Sequence, residues 1–334
     1  MANVQANTAA AGWRSIKNMV SGLLMDTMAV VVEEPGRVAL RRLVLTPPDA
    51  DDVVVAVDYS GISMGTEKLM YTGTMPAFPG MGYPLVPGYE AVGRIVDAGE
   101  AAKARIGETV FVPGSSKFEG ARGLFGGQAR HLITKAARVL SVPDGMGENA
   151  VLLSLAATAQ HAVVGGQMPD LIIGHGVLGR LLARLALAGG VVPTVWEIND
   201  ARLSGGEGYQ VLKPGADERR DYRSIYDASG DSAILDQAVA HMGHGGEVVL
   251  AGFYSTPLSF HFAPAFRREA RFRIATEFQP DDLAAVIAMV GSGRLSLEGL
   301  VTNRVPATEA PTAYGQAFTD PACLKMVFDW RDIA

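Results

Sequence analysis

The sequence predicts an α/β protein made of a doubly wound parallel sheet and a separate barrel-like β domain, and three observations carry that prediction. Leu171 to Asp200 reads as a strand, a glycine-rich turn, a helix and a second strand. Met28 to about Pro143 is a series of short valine-rich runs punctuated by Gly, Pro and Asp, the texture of an all-β barrel. From Ala150 the chain turns to Leu- and Ala-rich helical segments alternating with short apolar strands. At 334 residues, 48% hydrophobic and 19% charged, it can build two cores of ordinary soluble composition.

Residues 1–26 read as an N-terminal extension. Within it Trp13, Ile16, Val20, Leu23 and Leu24 share a helical face opposite Arg14 and Lys17, so the segment reads as a loosely ordered tail or as a short interfacial docking helix. It lacks the long apolar core and cleavage site of a secretory signal. A first strand is expected at Met28 to Val32, then DVVVAVDYSG, EAVGRIVDAG, GETVFVPG and RHLITKAARVLSV. The stretch GISMGTEKLMYTGTMPAFPGMGYPLVPGYE between them is too long for a turn, and loops of that length are usually functional.

The barrel domain is expected to take residues 27–153 and 278–334, and the dinucleotide-binding domain 154–277. After Asp200 follow SIYDASG, a helix around Ile234 to Met242, the strand EVVLAGF, the segment RFRIATEF and a helix from Asp281 to Val290. Only 29 positions separate Glu197 from Tyr226, so this part of the nucleotide fold is expected to be trimmed around residues 203–222. The C-terminal piece reads as strand, helix and strand, returning to the first domain.

The turn contains Gly174, Gly176 and Gly179 in G-x-G-x-x-G spacing, with Val177 and Leu178 opening the helix. In a Rossmann-type unit the first glycine permits the tight turn, the second admits backbone to a pyrophosphate, and the third lets helix lie close on sheet. The helix N-terminus offers unpaired N–H groups to the phosphates. Glu197, 23 residues beyond Gly174, ends the second strand, where a carboxylate accepts from the ribose hydroxyls and repels a 2′-phosphate. NAD is therefore expected rather than NADP, although Arg202 lies close enough to keep the second open.

The net charge of −6, with 29 dispersed Lys and Arg, argues against nucleic acid as a partner. The single cysteine, Cys323, excludes an intramolecular disulfide framework and a Cys-rich zinc site, and it reads as a small buried apolar side chain. No apolar run reaches membrane-spanning length. The expected location is cytoplasmic, with peripheral membrane contact left open.

The motifs GETVF (Gly107 to Phe111), VPGYE (Val86 to Glu90), TAQHA (Thr158 to Ala162) and the ending GRLSLEGLVTNRVPATEAPTAY occur in order around the glycine turn. With them the chain resembles the medium-chain dehydrogenase/reductase superfamily over about Met28 to Trp330. GISMGTEKLMYTGTMPAFPGMGYPLVPGYEAVGRIVDAG and FVPGSSKFEGARGLFGGQARHL resemble, more narrowly, its bacteriochlorophyll-pathway branch. That resemblance implies a GroES-like catalytic domain and oxidation of the C3 1-hydroxyethyl group of a bacteriochlorophyllide to acetyl with NAD. The substrate would be a chlorin carrying its own magnesium, lined by the Met- and aromatic-rich stretch Met64 to Tyr83, and a homodimer follows by analogy with the superfamily.

Residue-by-residue transfer is most informative where it breaks. The superfamily's zinc-binding members place Cys, His and Cys where this chain has Ser63, Tyr89 and Ser154, none a good zinc ligand, and the four-cysteine structural lobe is missing. No metal site is expected. Another group must then hold the alcohol oxygen, and the candidates are Tyr89, Thr66 and Ser63, with Glu67 or Glu90 orienting them or accepting a proton. For each the alternative is structural: Tyr89 as a loop cap, Glu90 as an ion-pair partner, Thr66 as a helix cap. The resemblance further implies that Thr158 contacts the nicotinamide, that Ala251, Gly252 and Phe253 face its carboxamide, and that Lys325 meets the pyrophosphate. His161 reads as helix packing, and His175 as a solvent-facing turn residue. Two other readings stay open: a zinc-free quinone- or enoyl-reductase using NAD(P)H, and a tetrapyrrole-binding protein without catalysis.

Overall fold

The computed structural model describes residues 25–77 and 79–333. The N-terminal extension as far as residue 24, with its candidate docking helix, lies outside them. The first half of the chain forms strands β1 (Met25–Glu34), β2 (Arg37–Leu45), β3 (Asp52–Gly61), β4 (Leu85–Val86) and β5 (Ala91–Ala98). It continues with β6 (Thr109–Val112), β7 (Arg122–Gly123), β8 (His131–Lys135) and β9 (Leu140–Ser141). Helix α1 (Thr66–Thr72) lies in the long stretch after β3, and α2 (Leu153–Val163) leads into the second half.

That half begins β10 (Leu171–Ile173), α3 (Val177–Ala188), β11 (Thr194–Trp196), β12 (Gln210–Leu212) and β13 (Tyr222–Asp227). Then follow α4 (Leu235–His241), β14 (Met242–Leu250), α5 (Phe262–Arg267), β15 (Arg271–Ile274) and α6 (Pro280–Gly291). The chain ends in β16 (Asn303–Pro306), α7 (Ala310–Thr319) and β17 (Met326–Asp329).

The barrel lobe contains a sheet of order β2-β1-β4-β7 and a larger one of order β16-β17-β3-β5-β6-β9, with β8 added on β3. Val53, Val54, Val55 and Val57 of β3 are all buried, because both faces of this strand meet apolar layers and a continuous valine run satisfies both. Strand β1 starts at Met25, earlier than the valine run suggests, because its antiparallel partner β2 pairs Met25 with Leu45. Its length is set by the neighbouring strand rather than by its own apolar residues. The C-terminal strands join the barrel sheet, β17 pairing antiparallel with β3.

The second sheet has order β12-β11-β10-β13-β14-β15 and is parallel throughout. Its order reverses between β10 and β13, so the crevice outside their carboxyl ends is the expected ligand position of a doubly wound sheet. Between β11 and β13 the described connections are three-residue helical turns, Asp200–Arg202 and Pro214–Ala216, with no α-helix. Helix α6 opens with Gln279 and Asp282 in a reciprocal capping box. Among the described residues no helix is long and apolar enough to cross a membrane.

Candidate active site

Both lobes line one cleft of about 1060 Å³. On its Rossmann side Gly174 has φ +99, a left-handed conformation, and donates its N–H to Trp196 O at 2.8 Å. A Cβ on Gly179 would lie 1.8 Å from Gly174 O, so the helix can lie this close to the turn only through a glycine. Gly176 instead faces open space, its nearest heavy atom 3.9 Å from an added Cβ, and Val177 and Leu178 follow along the cleft wall. Tight packing at one glycine and an open approach at the other fit a dinucleotide phosphate at the start of α3.

Glu197 departs from the expected ribose contact: it is 7% exposed, lies off the cleft and accepts from His175 N at 2.9 Å and Asn199 N at 2.8 Å, bracing the glycine turn. Asn199 and Arg202 stand in front of it on the cleft wall. Arg202 also reaches across to the barrel lobe's last segment, donating to Pro321 O at 2.8 Å and Cys323 O at 3.1 Å. His175 departs from the sequence reading. It is fully buried, its ring bonded to Arg202 O at 2.6 Å and Tyr209 Oη at 2.9 Å, because the chain after β11 folds back over the glycine turn. Cys323 is buried.

The strand ends supply the next stretch of wall: Thr158 from α2, Ser229 and Gly230 after β13, Ala251 to Phe253 after β14, and Thr276 after β15. Thr158 Oγ1 donates to Ser154 O at 2.9 Å, which fixes its rotamer. Asp227 organises the β13 turn, accepting from Ser229 N at 2.9 Å, Ser229 Oγ at 2.6 Å and the Tyr254 hydroxyl. Burial raises the Asp227 carboxyl above its ordinary range, and burial with that carboxylate raises Tyr254. Asp227 and Tyr254 escape the sequence reading, although D-A-S-G at a strand end is a usable turn signal. His161 joins Asp282 Oδ2 at 2.8 Å and Thr276 Oγ1 at 3.3 Å, bridging α2, the start of α6 and the end of β15.

The barrel wall presents hydroxyls. Ser63 Oγ and Tyr89 Oη are 2.8 Å apart, the Thr66 hydroxyl at the start of α1 also meets Tyr89, and all three residues line the cleft. Burial, then the Glu90 carboxylate, holds the Tyr89 phenol well above its ordinary value, so it stays a neutral hydroxyl.

Behind these hydroxyls lie two fully buried carboxylates. Glu67 accepts from Ser63 N at 3.0 Å and from the Tyr314 hydroxyl; burial pushes its carboxyl up to about 7 against those two hydrogen bonds. Glu90 pairs with Lys325 at 2.6 Å, and Lys325 also donates to Ile62 O at 3.0 Å. A Cβ on Gly61 would lie 2.3 Å from Glu90 Oε2, so this pair needs the glycine. Lys325 lines the cleft as well, with its ammonium already engaged on the barrel side.

Of the remaining stretch before Tyr89, Met64 and Met75 reach the cleft, whereas Met70 is in the barrel core and Tyr71, Met81 and Tyr83 pack against it. The expectation that Met64 to Tyr83 lines the cleft holds only in part. Helix α1 is amphipathic, and its inner face serves the core.

At the positions where the resemblance puts zinc ligands this chain carries hydroxyls. Ser63 and Tyr89 hold each other, while Ser154 is fully buried off the cleft with an Oγ that has no hydrogen-bond partner. No group of three His, Cys, Asp or Glu is placed to hold a metal among the described residues.

Residues 49–144 match the alcohol dehydrogenase GroES-like domain family. The chain is 55% identical over 312 residues to the 2-desacetyl-2-hydroxyethyl bacteriochlorophyllide A dehydrogenase of Rhodobacter capsulatus, covering 92% of this chain and 99% of that protein. The protein of the same name from Cereibacter sphaeroides is 52% identical over 318 residues, covering 93% of this chain and all (100%) of that protein. Among solved structures, an Escherichia coli alcohol dehydrogenase complexed with NADH superposes with a TM-score of 0.78 at 21% identity, covering 91% of this chain and 99% of that one. The chain therefore belongs to the medium-chain dehydrogenase/reductase superfamily and, within it, to the 2-desacetyl-2-hydroxyethyl bacteriochlorophyllide A dehydrogenase family.

Proposed function

We propose that this protein is a zinc-independent, NAD-dependent secondary-alcohol dehydrogenase that oxidises the 1-hydroxyethyl group of a bacteriochlorophyllide to acetyl. The observation that carries the reading is one cleft with a dinucleotide turn on one wall and the Ser63–Tyr89 hydroxyl pair on the other. Bound at the glycine turn, NAD supplies the acceptor for the hydride leaving the alcohol carbon. Thr158, Ala251, Gly252 and Phe253 position the nicotinamide end, and Gly174, Gly176 and Gly179 let backbone and the α3 N-terminus reach the phosphates. Tyr89, kept neutral, hydrogen-bonds the substrate oxygen in the place a metal would otherwise take. Ser63 and Thr66 fix the direction of that hydroxyl. Glu90 with Lys325 holds the strand behind Tyr89; the buried Lys325 ammonium is taken by Glu90 and Ile62 O rather than held for the pyrophosphate contact the resemblance implies.

The relatives' names supply the substrate class, and the cleft suits it. Phe125, Phe253, Phe278 and Phe318 contribute flat apolar surface to its lining, and its volume suits a broad tetrapyrrole that brings its own magnesium. Incubating the purified protein with NAD and 3-hydroxyethyl bacteriochlorophyllide should yield the acetyl pigment and NADH, without loss after exhaustive chelation. Bound NAD with no acetyl product refutes the substrate, and activity restored only by zinc refutes the metal-free chemistry.

We favour NAD over NADP from the Glu197 carboxylate beside the glycine turn, although its oxygens are taken by His175 N and Asn199 N and Arg202 lines the cleft in front. NADPH-supported turnover exceeding that with NADH would favour the quinone- or enoyl-reductase reading. We also infer a homodimer through β15, the edge of the Rossmann sheet. Phe262 and Phe266 on the preceding α5 and Ile274 on β15 are 71%, 67% and 72% exposed, and Phe260 packs tilted against Phe272 with ring centroids 4.7 Å apart. An unpaired apolar edge is satisfied by the same edge of a second copy about a two-fold axis. Light scattering should give twice the chain mass, falling to the monomer in Phe272→Glu.

A further inference from the structure

We propose that Glu67 is the group that receives the alcohol proton in this dehydrogenase, and that Tyr314, 247 residues away in sequence, is a positioning residue that sets how readily it does so. The inference rests on the dehydrogenase reading above and adds the proton's destination. Oxidation must deliver a hydride to the nicotinamide and a proton elsewhere. Tyr89 is a donor held neutral, so it passes a proton on rather than keeping it. Ser63 joins the two regions: its Oγ lies 2.8 Å from Tyr89 Oη and its N–H lies 3.0 Å from Glu67 Oε1. The relay requires the Ser63 hydroxyl to turn from the phenol toward that carboxylate, a change of χ1 that leaves the Ser63 N–H bond to Glu67 in place.

In the step, the alcohol C–H bond breaks and its electron pair leaves as hydride to the nicotinamide. The O–H proton moves to Tyr89, whose own proton moves to Ser63 and from Ser63 to Glu67; the C=O bond forms and Glu67 ends neutral. Both hydroxyls are regenerated. Glu67 and Glu90 face one ammonium, Lys325, already paired to Glu90, so neutralising Glu67 relieves an unbalanced buried charge. Glu67 is fully buried, and its carboxyl lies near 7, where it accepts and releases a proton at neutral pH.

Tyr314 donates to Glu67 Oε2, and that bond favours the carboxylate. Tyr314→Phe keeps the ring that stacks on Phe328 at 6.0 Å and removes only the donor. The Glu67 carboxyl should then rise, moving the ascending limb of kcat against pH from near 7 to about one unit higher, with KM for NAD unchanged. Glu67→Gln should remove the limb and lower kcat about a hundredfold or more. Infrared titration reads the same group without turnover: a carboxyl band titrating near 7, absent in Glu67→Gln and displaced upward in Tyr314→Phe. An unmoved limb or band in Tyr314→Phe overturns the proposal. So does a limb that survives Glu67→Gln but disappears in His161→Gln, since the acceptor would then be the imidazole held by Asp282 and Thr276. A wild-type protein that shows the band but converts no hydroxyethyl pigment refutes the dehydrogenase reading, and the acceptor role with it.

Discussion

Two alanine substitutions three residues apart in the glycine turn should fail in different ways. At Gly179 the added Cβ meets Gly174 O at 1.8 Å and Gly174 C at 2.9 Å, both backbone atoms. Real Cβ contacts stay beyond 3.0 Å, so α3 must retreat from the turn by more than an ångström, and no side-chain rotation can relieve the clash. Overpacking of this kind costs about 1–3 kcal/mol. At Gly176 the nearest atom is Arg202 Nη1 at 3.9 Å, and its φ of −75 is open to any residue. Gly176→Ala should leave stability within about 0.5 kcal/mol of the parent while placing a methyl where the phosphate approaches. Its Kd for NAD should rise about tenfold, equivalent to roughly 1.4 kcal/mol. Urea unfolding gives the first quantity and calorimetric titration with NAD the second. Equal stability of Gly179→Ala and the parent would refute the packing argument, and unchanged NAD affinity in Gly176→Ala would refute the placement of the phosphate.

Lys325→Met strands the buried Glu90 carboxylate and should lower stability by about 3–5 kcal/mol; adding Glu90→Gln should recover most of it in the same unfolding assay. Tyr89→Phe should lower kcat for pigment oxidation about a hundredfold or more with little change in NAD affinity, whereas Ser154→Ala, whose hydroxyl faces neither cleft nor partner, should leave both unchanged. His131 is held down to about 4, chiefly by burial and then by Arg130. The unfolded chain therefore binds the extra proton between about 6.5 and 4, so this residue makes stability fall as pH drops through that window, by about 1 kcal/mol per pH unit. Glu67 has the opposite sign: its raised carboxyl makes stability fall as pH rises from about 4.5 to 7. His131→Gln should flatten the acid-side slope, and stability measured at successive pH values checks it.

Local patterns carry the parts of the protein that repeat a backbone solution. The glycine spacing, the apolar strands beside it and the valine runs of the barrel are periodic or positional signals, so the Rossmann-type and GroES-like lobes are legible residue by residue. Where the reading slips, non-local contacts outweigh the local signal. His175 sits in a turn whose sequence suggests solvent, yet the segment through Arg202 and Tyr209 closes over it. The stretch Met64 to Tyr83 looks uniformly apolar, but a helix has two faces, and one of them belongs to the barrel core.

By itself, then, the sequence determined the two lobes and the glycine turn between strand and helix, because glycine geometry resides in single residues at short spacing. Only the tertiary structure decided that Tyr89 rests on Ser63, that Glu90 belongs to Lys325 and that Glu67 belongs to Tyr314. Those partners lie 26, 235 and 247 residues apart. Burial, the main force on the acidity of Tyr89 and Glu67, exists only once both ends of the chain have met in one barrel.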